Sequence, residues 1–296
     1  MPEMPSHTLA RNADFKAVAR ALTIVENALE GADEILKGLK FEKNTPVIGI
    51  TGPPGAGKST LVNALIGHLL TNDRKVAILA IDPTSPFNFG SLLGDRIRMA
   101  THFNHTDVFI RSLAARGSLG GLSAKTIEMT DVLRAAGFDY VLIETVGVGQ
   151  SEVEIAGLAD LTFLVLVPES GDEVQNMKSG LMEIADAFII NKADRADADL
   201  LANNLVKIIH QSGKDNIPVF KTVATRDEGV ADVAGYILSA GYKENSRKAF
   251  LMAEKAYRII GQKRMANVDK KRLQQEIAKA MLESSFNLYD FAGKYF

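Results

Sequence analysis

The chain of 296 residues carries 34 Lys and Arg against 36 Asp and Glu, and 46% of its residues are hydrophobic. This balance is typical of a globular protein and excludes a disordered, collagen-like or low-complexity chain. The lack of cysteine excludes disulfides, zinc fingers, iron–sulfur ligation and thiol catalysis, and the net charge of −2 argues against a nucleic-acid coat. The start of the chain shows no signal peptide, and no apolar run is long enough to cross a bilayer. We therefore expect a cytoplasmic protein that binds neither nucleic acid nor membrane.

The first 45 residues are predicted to form a helical segment. Between residues 14 and 39, Val18, Leu22, Val25 and Leu29 recur at helical spacing. This pattern predicts one or two helices that pack on a sheet.

Residues 46–241 alternate short apolar, β-branched runs with helical patterns. The predicted strands are Val47–Thr51, Val76–Ile81, Val108–Ser112, Tyr140–Glu144, Thr162–Val167, Ala187–Ile190 and Pro218–Thr222. The predicted helices between them include Lys58–Leu70, Ser123–Ala136, Leu200–Ser212 and Val230–Ala240. Several strands are apolar throughout, as expected when helices cover both faces of a parallel sheet. The alternation predicts an α/β fold with a doubly wound, mostly parallel sheet, whose ligands bind at the carboxyl ends of the strands.

Residues 242–296 are predicted to form a helical and basic arm. They hold 12 Lys and Arg against 6 Asp and Glu, a net charge of +6. Leu273, Ile277, Ala280 and Met281 form an apolar stripe, and Asn267-Val-Asp269 is predicted to separate two helices and cap the second.

A phosphate-binding loop follows the strand Val47–Thr51. The residues GPPGAGKS match the motif G-x-x-x-x-G-K-[ST] in full and precede an apolar helix, which is the context that a P-loop requires. Glycines let backbone N–H groups converge on phosphate oxygens, Lys58 can reach the outer phosphates, and the Ser59 hydroxyl can ligate Mg²⁺. The predicted phosphate site consists of Gly52, Pro53, Pro54, Gly55, Ala56, Gly57, Lys58, Ser59 and Thr60.

Two segments further along the chain are predicted to bind the base. Asn191, Lys192 and Asp194 belong to the motif N-K-x-D after a strand, where a carboxylate can accept both N–H donors of the guanine edge. Adenine lacks that pair of donors, so the motif favours GTP over ATP. Thr222, Val223 and Ala224 follow the last strand and are expected to contact the base through their backbone.

A third element after Tyr140–Glu144 is predicted to sense the γ-phosphate. Glu144-Thr-Val-Gly147 resembles the D-x-x-G motif of GTPases, with a glutamate in place of the aspartate that supports Mg²⁺. Asp82, at the end of another strand, could take part of the metal role. Asp95, in a loop where a first switch belongs, could position Mg²⁺ or water. We therefore assign hydrolysis to Lys58, Asp95, Glu144 and Gly147, and the metal to Ser59, Asp82, Asp95 and Glu144.

The residue after this motif predicts slow hydrolysis. Ras-type enzymes place a water-orienting glutamine directly after the glycine of the motif, whereas this chain has Val148 there and Gln150 two residues later. We expect slow intrinsic turnover that a partner accelerates.

Taken together, these motifs resemble the methylmalonyl-CoA mutase-associated GTPases of the MeaB type. The resemblance extends end to end and is carried by the segment Ala19–Glu26 and by GPPGAGKS, IDPTS, GDRIRM, IETVGVGQSE and NKAD. It implies a GTP-dependent chaperone of an adenosylcobalamin-dependent acyl-CoA mutase, which gates cofactor loading and protects or reactivates the mutase.

The same resemblance implies two further features. A switch loop at Pro168–Lys178 would couple nucleotide state to the mutase through Asp172, Gln175 and Lys178, although Gly171-Asp172 could instead simply cap a helix. The C-terminal helices would form a homodimer, although a helical hairpin packed on its own domain would give the same sequence pattern.

Two alternatives remain open from the sequence. One is a P-loop ATPase or kinase linked to basic amino-acid transport, which would have no use for the carboxylate of Asp194. The other is a metallochaperone GTPase, for which His102 and His105 have metal-ligand spacing but no cysteine nearby.

Overall fold

The computed structural model describes residues 14–82, 99–114, 124–145, 155–170, 184–211, 213, 216–242, 248–282 and 286–295. The chain divides into two compact units, residues 1–248 and residues 249–296.

The first unit alternates strands with helices, as the sequence predicts. Its strands are β1 (Val47–Thr51), β2 (Val76–Asp82), β3 (Val108–Ala114), β4 (Tyr140–Glu144), β5 (Leu161–Leu166), β6 (Ala187–Asn191) and β7 (Val219–Thr222). The helices up to Ser239 are α1 (Phe15–Glu26), α2 (Ala32–Lys37), α3 (Lys58–Leu70), α4 (Ala124–Ala135), α5 (Ala198–Gln211) and α6 (Val230–Ser239).

The seven strands form one sheet in the order β3-β2-β4-β1-β5-β6-β7, and every neighbouring pair is parallel. The predicted doubly wound α/β architecture is thereby confirmed. Because all strands run in one direction, the loops after β1, β4, β6 and β7 leave the sheet at the same edge. That edge carries the predicted phosphate and base motifs.

Helices cover both faces of the sheet. Alternate strand residues face opposite sides, so that Ile48 and Ile50 of β1 pack with α3 and α6, whereas Val47 packs with α1 and α4. A third apolar cluster joins α5 to β5 and β6. This two-sided burial explains why β1, β4, β5 and β6 are apolar runs without alternation.

The N-terminal helices belong to this core, with one exception to the predicted stripe. Val18, Leu22 and Val25 of α1 are fully buried, but Leu29 is 50% exposed. The prediction for Leu29 was wrong because α1 ends at Glu26 and the positive φ of Ala28 (48°) turns the chain away.

The second unit contains helices α7 (Lys248–Arg264, which begins at the boundary), α8 (Lys270–Ala280) and α9 (Leu288–Ala292). Asp269 caps α8 by accepting a hydrogen bond from the backbone N–H of Arg272, at the predicted break. Leu273, Ile277 and Ala280 of the predicted stripe are half-buried, and Met281 is 63% exposed. Across the described ranges, no helix combines the length and apolar character needed to span a membrane.

Three aspartates fix the strand register at the amino-terminal edge of the sheet. Each lies just before a strand, donates its backbone N–H to a residue at the start of the neighbouring strand, and accepts that residue's N–H on its carboxylate. The pairs are Asp139 with Lys75, Asp160 with Val47 and Asp186 with Thr162, at 2.7–2.9 Å. The backbone groups that the ladder leaves open at this edge thereby gain charged partners.

We expect Asp139→Asn to lower the free energy of unfolding by about 1 kcal/mol at pH 7, because a charge-assisted acceptor is lost. Burial opposes ionisation of Asp139, but Lys43 and the backbone N–H of Lys75 outweigh it, so the pKa of Asp139 is lowered. A lowered pKa in the folded state stabilises the protein above the unfolded value near 3.9, and this contribution is lost as the pH falls through the folded value. Urea unfolding from pH 7 to pH 2.5 should therefore show the difference shrinking in acid.

The matched control for this prediction is Asp107→Asn. Asp107 is a more exposed carboxylate that lies 3.9 Å from the Lys75 ammonium. An equal and pH-independent loss in both variants would contradict the role given to Asp139.

Candidate nucleotide site

The loop between β1 and α3 has a backbone that only glycine permits at two positions. Gly52 has φ of +140°, and a Cβ there would lie 2.1 Å from the Val165 carbonyl oxygen. Gly57 has φ of +84°, and its Cβ would lie 2.4 Å from Nδ2 of Asn191. The loop is therefore packed between β5 and the base-motif segment, and it ends where the N-terminus of α3 provides backbone N–H donors and a partial positive charge.

Lys58, the first residue of α3, lies with its ammonium inside this loop. Its Nζ donates to the carbonyl oxygens of Gly52 at 2.8 Å and Pro53 at 3.0 Å, and the residue is buried. The charge is thus held beside the N–H groups that begin the helix. A phosphate bound in the loop would therefore contact both the Lys58 ammonium and these N–H groups.

Ser59 and Glu144 connect the phosphate loop to the end of β4. The Ser59 hydroxyl donates to Oε1 of Glu144 at 2.6 Å, and both side chains are buried. A hydroxyl and a carboxylate are the hard oxygen donors that Mg²⁺ prefers, so this pair fits the ion. Next to it, the Thr145 hydroxyl donates to that of Thr51 at 2.9 Å and ties β4 to β1.

Asn191, the last residue of β6, joins three segments. Its Nδ2 donates to the Ala56 carbonyl oxygen at 2.8 Å, while its Oδ1 accepts from the Thr222 hydroxyl at 3.1 Å and from the Ala224 N–H at 3.2 Å. Asn191 is buried, so these contacts are shielded from water. The phosphate loop and the two predicted base segments are thereby fixed to one another.

Lys192 and Asp194 point in different directions from the turn that follows. Lys192 has φ of +56°, an uncommon conformation for a residue with a side chain, and its Nζ donates to the Gly55 carbonyl oxygen at 2.7 Å. Asp194 keeps 42% of its side chain exposed. Its carboxylate is therefore accessible to a ligand.

Hydrogen bonds within the protein hold the residues that follow β7 in place. The Val223 N–H donates to the Glu228 carbonyl oxygen at 3.0 Å, and the Thr222 carbonyl oxygen accepts from the Ala193 N–H at 3.0 Å. The N–H groups of Val223 and Ala224 thus already have protein partners. A base contact through Ala224 would have to share its N–H with Asn191.

Several predicted site residues fall outside the described part of the chain. They are Asp95, Gly147, Asp172, Gln175 and Lys178. Asp82 ends β2 at the same sheet edge, paired in register with Ala114, and its side chain is not described.

The histidine pair has contacts of a structural kind. Burial lowers the pKa of His102, whose Nε2 lies 3.3 Å from the Asn63 carbonyl oxygen, and Nδ1 of His105 accepts the N–H of Asp107. Within the described ranges, no three His, Cys, Asp or Glu residues are grouped so that they could hold a metal ion.

Two polar contacts near the base segments were not predicted from the sequence. His68 of α3 lies 2.9 Å from a carboxylate oxygen of Asp227, and Arg226 lies beside Asp194. The residues in the first pair are 159 positions apart, and His68, Asp227 and Arg226 belong to none of the predicted motifs. An exposed His or Arg carries no sequence signal of its own.

Comparison with known proteins identifies the family. The family model described as methylmalonyl-CoA mutase-associated GTPase MeaB matches residues 18–281. The chain belongs to the MeaB family. It is therefore a P-loop GTPase, an enzyme that binds and hydrolyses GTP.

Relatives of this MeaB-family GTPase include proteins of which the matched segment forms very different shares. A protein of Pyrococcus abyssi that is named as a candidate GTPase is 49% identical over 230 residues, which are 75% of this chain and 71% of the relative. A protein of Geobacillus kaustophilus, named fused isobutyryl-CoA mutase, is 37% identical over 232 residues, which are 73% of this chain and 21% of the relative.

A solved structure shares the fold of this MeaB-family protein. It is titled LAO/AO transport system kinase, with a TM-score of 0.63 and 24% identity over 98% of this chain and 94% of that chain. At that identity the likeness shows the fold alone.

Proposed function

We propose that this MeaB-family protein is a GTP-hydrolysing chaperone of an adenosylcobalamin-dependent acyl-CoA mutase, most closely of the methylmalonyl-CoA mutase type. In that role it gates the loading of the cofactor and protects or reactivates the mutase. The description of the family and the fusion of a homologous segment to an isobutyryl-CoA mutase support the partner class. A mutase partner gives the predicted γ-phosphate-sensing element a purpose, because the nucleotide state would then control the interaction with the mutase.

The observation that carries the nucleotide assignment is the contact of Asn191 with both the phosphate loop and the base segments. It supports a single site in which the loop from Gly52 to Thr60 holds the phosphates and Asp194 accepts the guanine N–H donors. Ser59 and Glu144 would hold Mg²⁺, which neutralises phosphate charge when it is bound. Lys58 orients the outer phosphates, and the backbone of Thr222–Ala224 lines the base.

Titration with GDP and ADP tests the guanine assignment against the ATPase or kinase alternative. The carboxylate of Asp194 pairs with the two N–H donors of guanine but has no such partner on adenine. We expect GDP to bind at least about tenfold more tightly, and equal affinity would contradict the assignment.

We expect the isolated protein to hydrolyse GTP more slowly than about 1 s⁻¹, because Val148 cannot orient water as a glutamine does. Single-turnover measurement of phosphate release at saturating Mg²⁺ gives this rate. Faster basal turnover would contradict a switch that needs its partner.

Capture of a purified adenosylcobalamin-dependent mutase tests the partner. The immobilised protein is loaded with GDP or with a non-hydrolysable GTP analogue, and retention of the mutase is compared between the two states. We expect retention that depends on the nucleotide state. No binding of methylmalonyl- or isobutyryl-CoA mutase in either state would contradict the proposed role.

We further propose a cytoplasmic homodimer formed through the C-terminal helices. Large apolar side chains in the second unit support it, since Met281 and Leu282 at the end of α8 and Tyr289 of α9 are exposed. The molar mass from light scattering should correspond to two chains, and Leu282→Asp should lower it.

A further inference from the structure

Arg226 lies beside the carboxylate that is proposed to bind the base. Its Nη2 is 3.6 Å from Oδ2 of Asp194, and the two side chains are 53% and 42% exposed. The two residues come from different segments, one after β6 and one after β7. The base segments are therefore linked by a charge pair as well as through Asn191.

Hydrogen bonding of the Arg226 backbone and contacts of the two residues that follow it hold Arg226 in place. Its own N–H donates to the Val223 carbonyl oxygen at 2.8 Å, and the next residue, Asp227, has φ of +59° and contacts His68 of α3. Glu228 pairs with Nε of Arg226 at 2.9 Å. Glu228 also accepts a hydrogen bond from Nη2 at 3.5 Å, so the Nε–Nη2 edge of the guanidinium is held by Glu228 while Nη2 also lies beside Asp194.

The other basic residues of the turn at Asp194 are directed elsewhere. Lys192 donates to the Gly55 carbonyl oxygen, and Arg195 pairs with Glu169 after β5. Among the basic side chains that the structure describes around this turn, Arg226 is therefore the one that lies against the Asp194 carboxylate.

We propose that Arg226 is a positioning residue for the guanine base. A carboxylate offers about four acceptor positions, of which the N1–H and exocyclic amine of guanine use two. A guanidinium at the side can pair with another and restrict the rotation of the carboxylate. Arg226 thereby increases the preference for bases that carry both donors. This inference rests on the proposed assignment of Asp194 to the base.

A role in folding alone does not account for the pair. Both side chains are largely exposed, and exposed ion pairs contribute little to stability because water and salt screen them. The same pair acts more strongly on a flat purine that covers it, because a bound base displaces the screening water.

The test compares GDP with inosine diphosphate, whose base lacks the exocyclic amine. The ratio of their affinities measures how well the carboxylate receives the second donor, and a loss of binding that affects both nucleotides equally leaves it unchanged. Affinities are measured by displacement of a fluorescent GDP analogue from the full chain, for the wild type, Arg226→Ala, Arg226→Lys and Asp194→Asn.

We expect Arg226→Ala to weaken GDP binding about tenfold and inosine diphosphate binding about threefold, so that the ratio falls about threefold. Arg226→Lys should restore part of the ratio. Added to Asp194→Asn, Arg226→Ala should change the ratio no further. The matched control is Arg195→Ala, which removes the same charge from a 49% exposed arginine one position after Asp194 and should leave the ratio within twofold.

The outcomes separate this inference from the assignment on which it rests. If Asp194→Asn abolishes the preference for GDP but Arg226→Ala weakens both nucleotides equally or tightens GDP, the positioning role is overturned and the base assignment stands. If Asp194→Asn leaves the ratio at the wild-type value, both are overturned.

Discussion

Replacing Lys58 with alanine is expected to lower the affinity for GTP and GDP by at least about a hundredfold. The ammonium lies inside the phosphate loop, where it donates to the carbonyl oxygens of Gly52 and Pro53. Hydrogen bonds from a cation to phosphate oxygens are worth about 1.5–3 kcal/mol each, and two of them correspond to about a hundredfold or more in affinity. Isothermal titration with GDP in the presence of Mg²⁺ measures the loss.

A buried lysine also packs, so Lys58→Met serves as a second variant that keeps the aliphatic stem without the charge. Lys75→Ala is the matched control, because that lysine precedes β2 at the opposite edge of the sheet and is 48% exposed. Circular dichroism should show an unchanged fold in all three variants. Binding within threefold of wild type in Lys58→Met would contradict the phosphate role.

Replacing Asp194 with asparagine is expected to weaken GDP binding by about 10–200-fold and to abolish most discrimination against ADP. The amide presents an N–H where the carboxylate accepted one, so a guanine donor is left without an acceptor at a cost of about 1–3 kcal/mol or more. Xanthine carries a carbonyl oxygen in place of the exocyclic amine. The variant should therefore bind xanthosine diphosphate more tightly than the wild type does.

Asp197→Asn is the matched control for this prediction. Asp197 is exposed in the same turn, and its φ of 65° is one that asparagine tolerates well. The two variants change the charge equally, so a comparable loss in both would indicate a general electrostatic effect and contradict base reading by Asp194.

The sequence was informative where local chemistry decides the structure. The bounds of β1, β4 and α3 agree with the prediction, because buried β-branched runs and the P-loop motif define them locally. β5 begins one residue earlier than predicted, at Leu161, directly after the aspartate that holds the start of β1. The partner of Asp160 is 113 residues away, so no local pattern could indicate it.

In the candidate site, too, the residues of the motifs could be predicted from the sequence, whereas contacts between distant residues could not. The motifs indicated Lys58, Ser59, Glu144, Asn191 and Asp194, and the structure brings the loops that carry them to one edge of the sheet. Arg226 and the contact of His68 with Asp227 were not predicted, because exposed ionic side chains obtain their partners only from the tertiary arrangement.

The hydrogen bond from Asn191 to Ala56, with Gly57 in close contact, holds the base segments and the phosphate loop at a fixed distance from each other. Backbone geometry sets the span between the purine and phosphate anchors, so a nucleotide behaves as a chelating ligand whose second end binds at high effective concentration. Guanosine alone binds only the base segments, and pyrophosphate alone binds only the phosphate loop. Neither fragment gains the affinity that the covalent link between base and phosphates provides. Loosening this attachment should therefore reduce the affinity for whole nucleotides while the weak binding of each fragment persists.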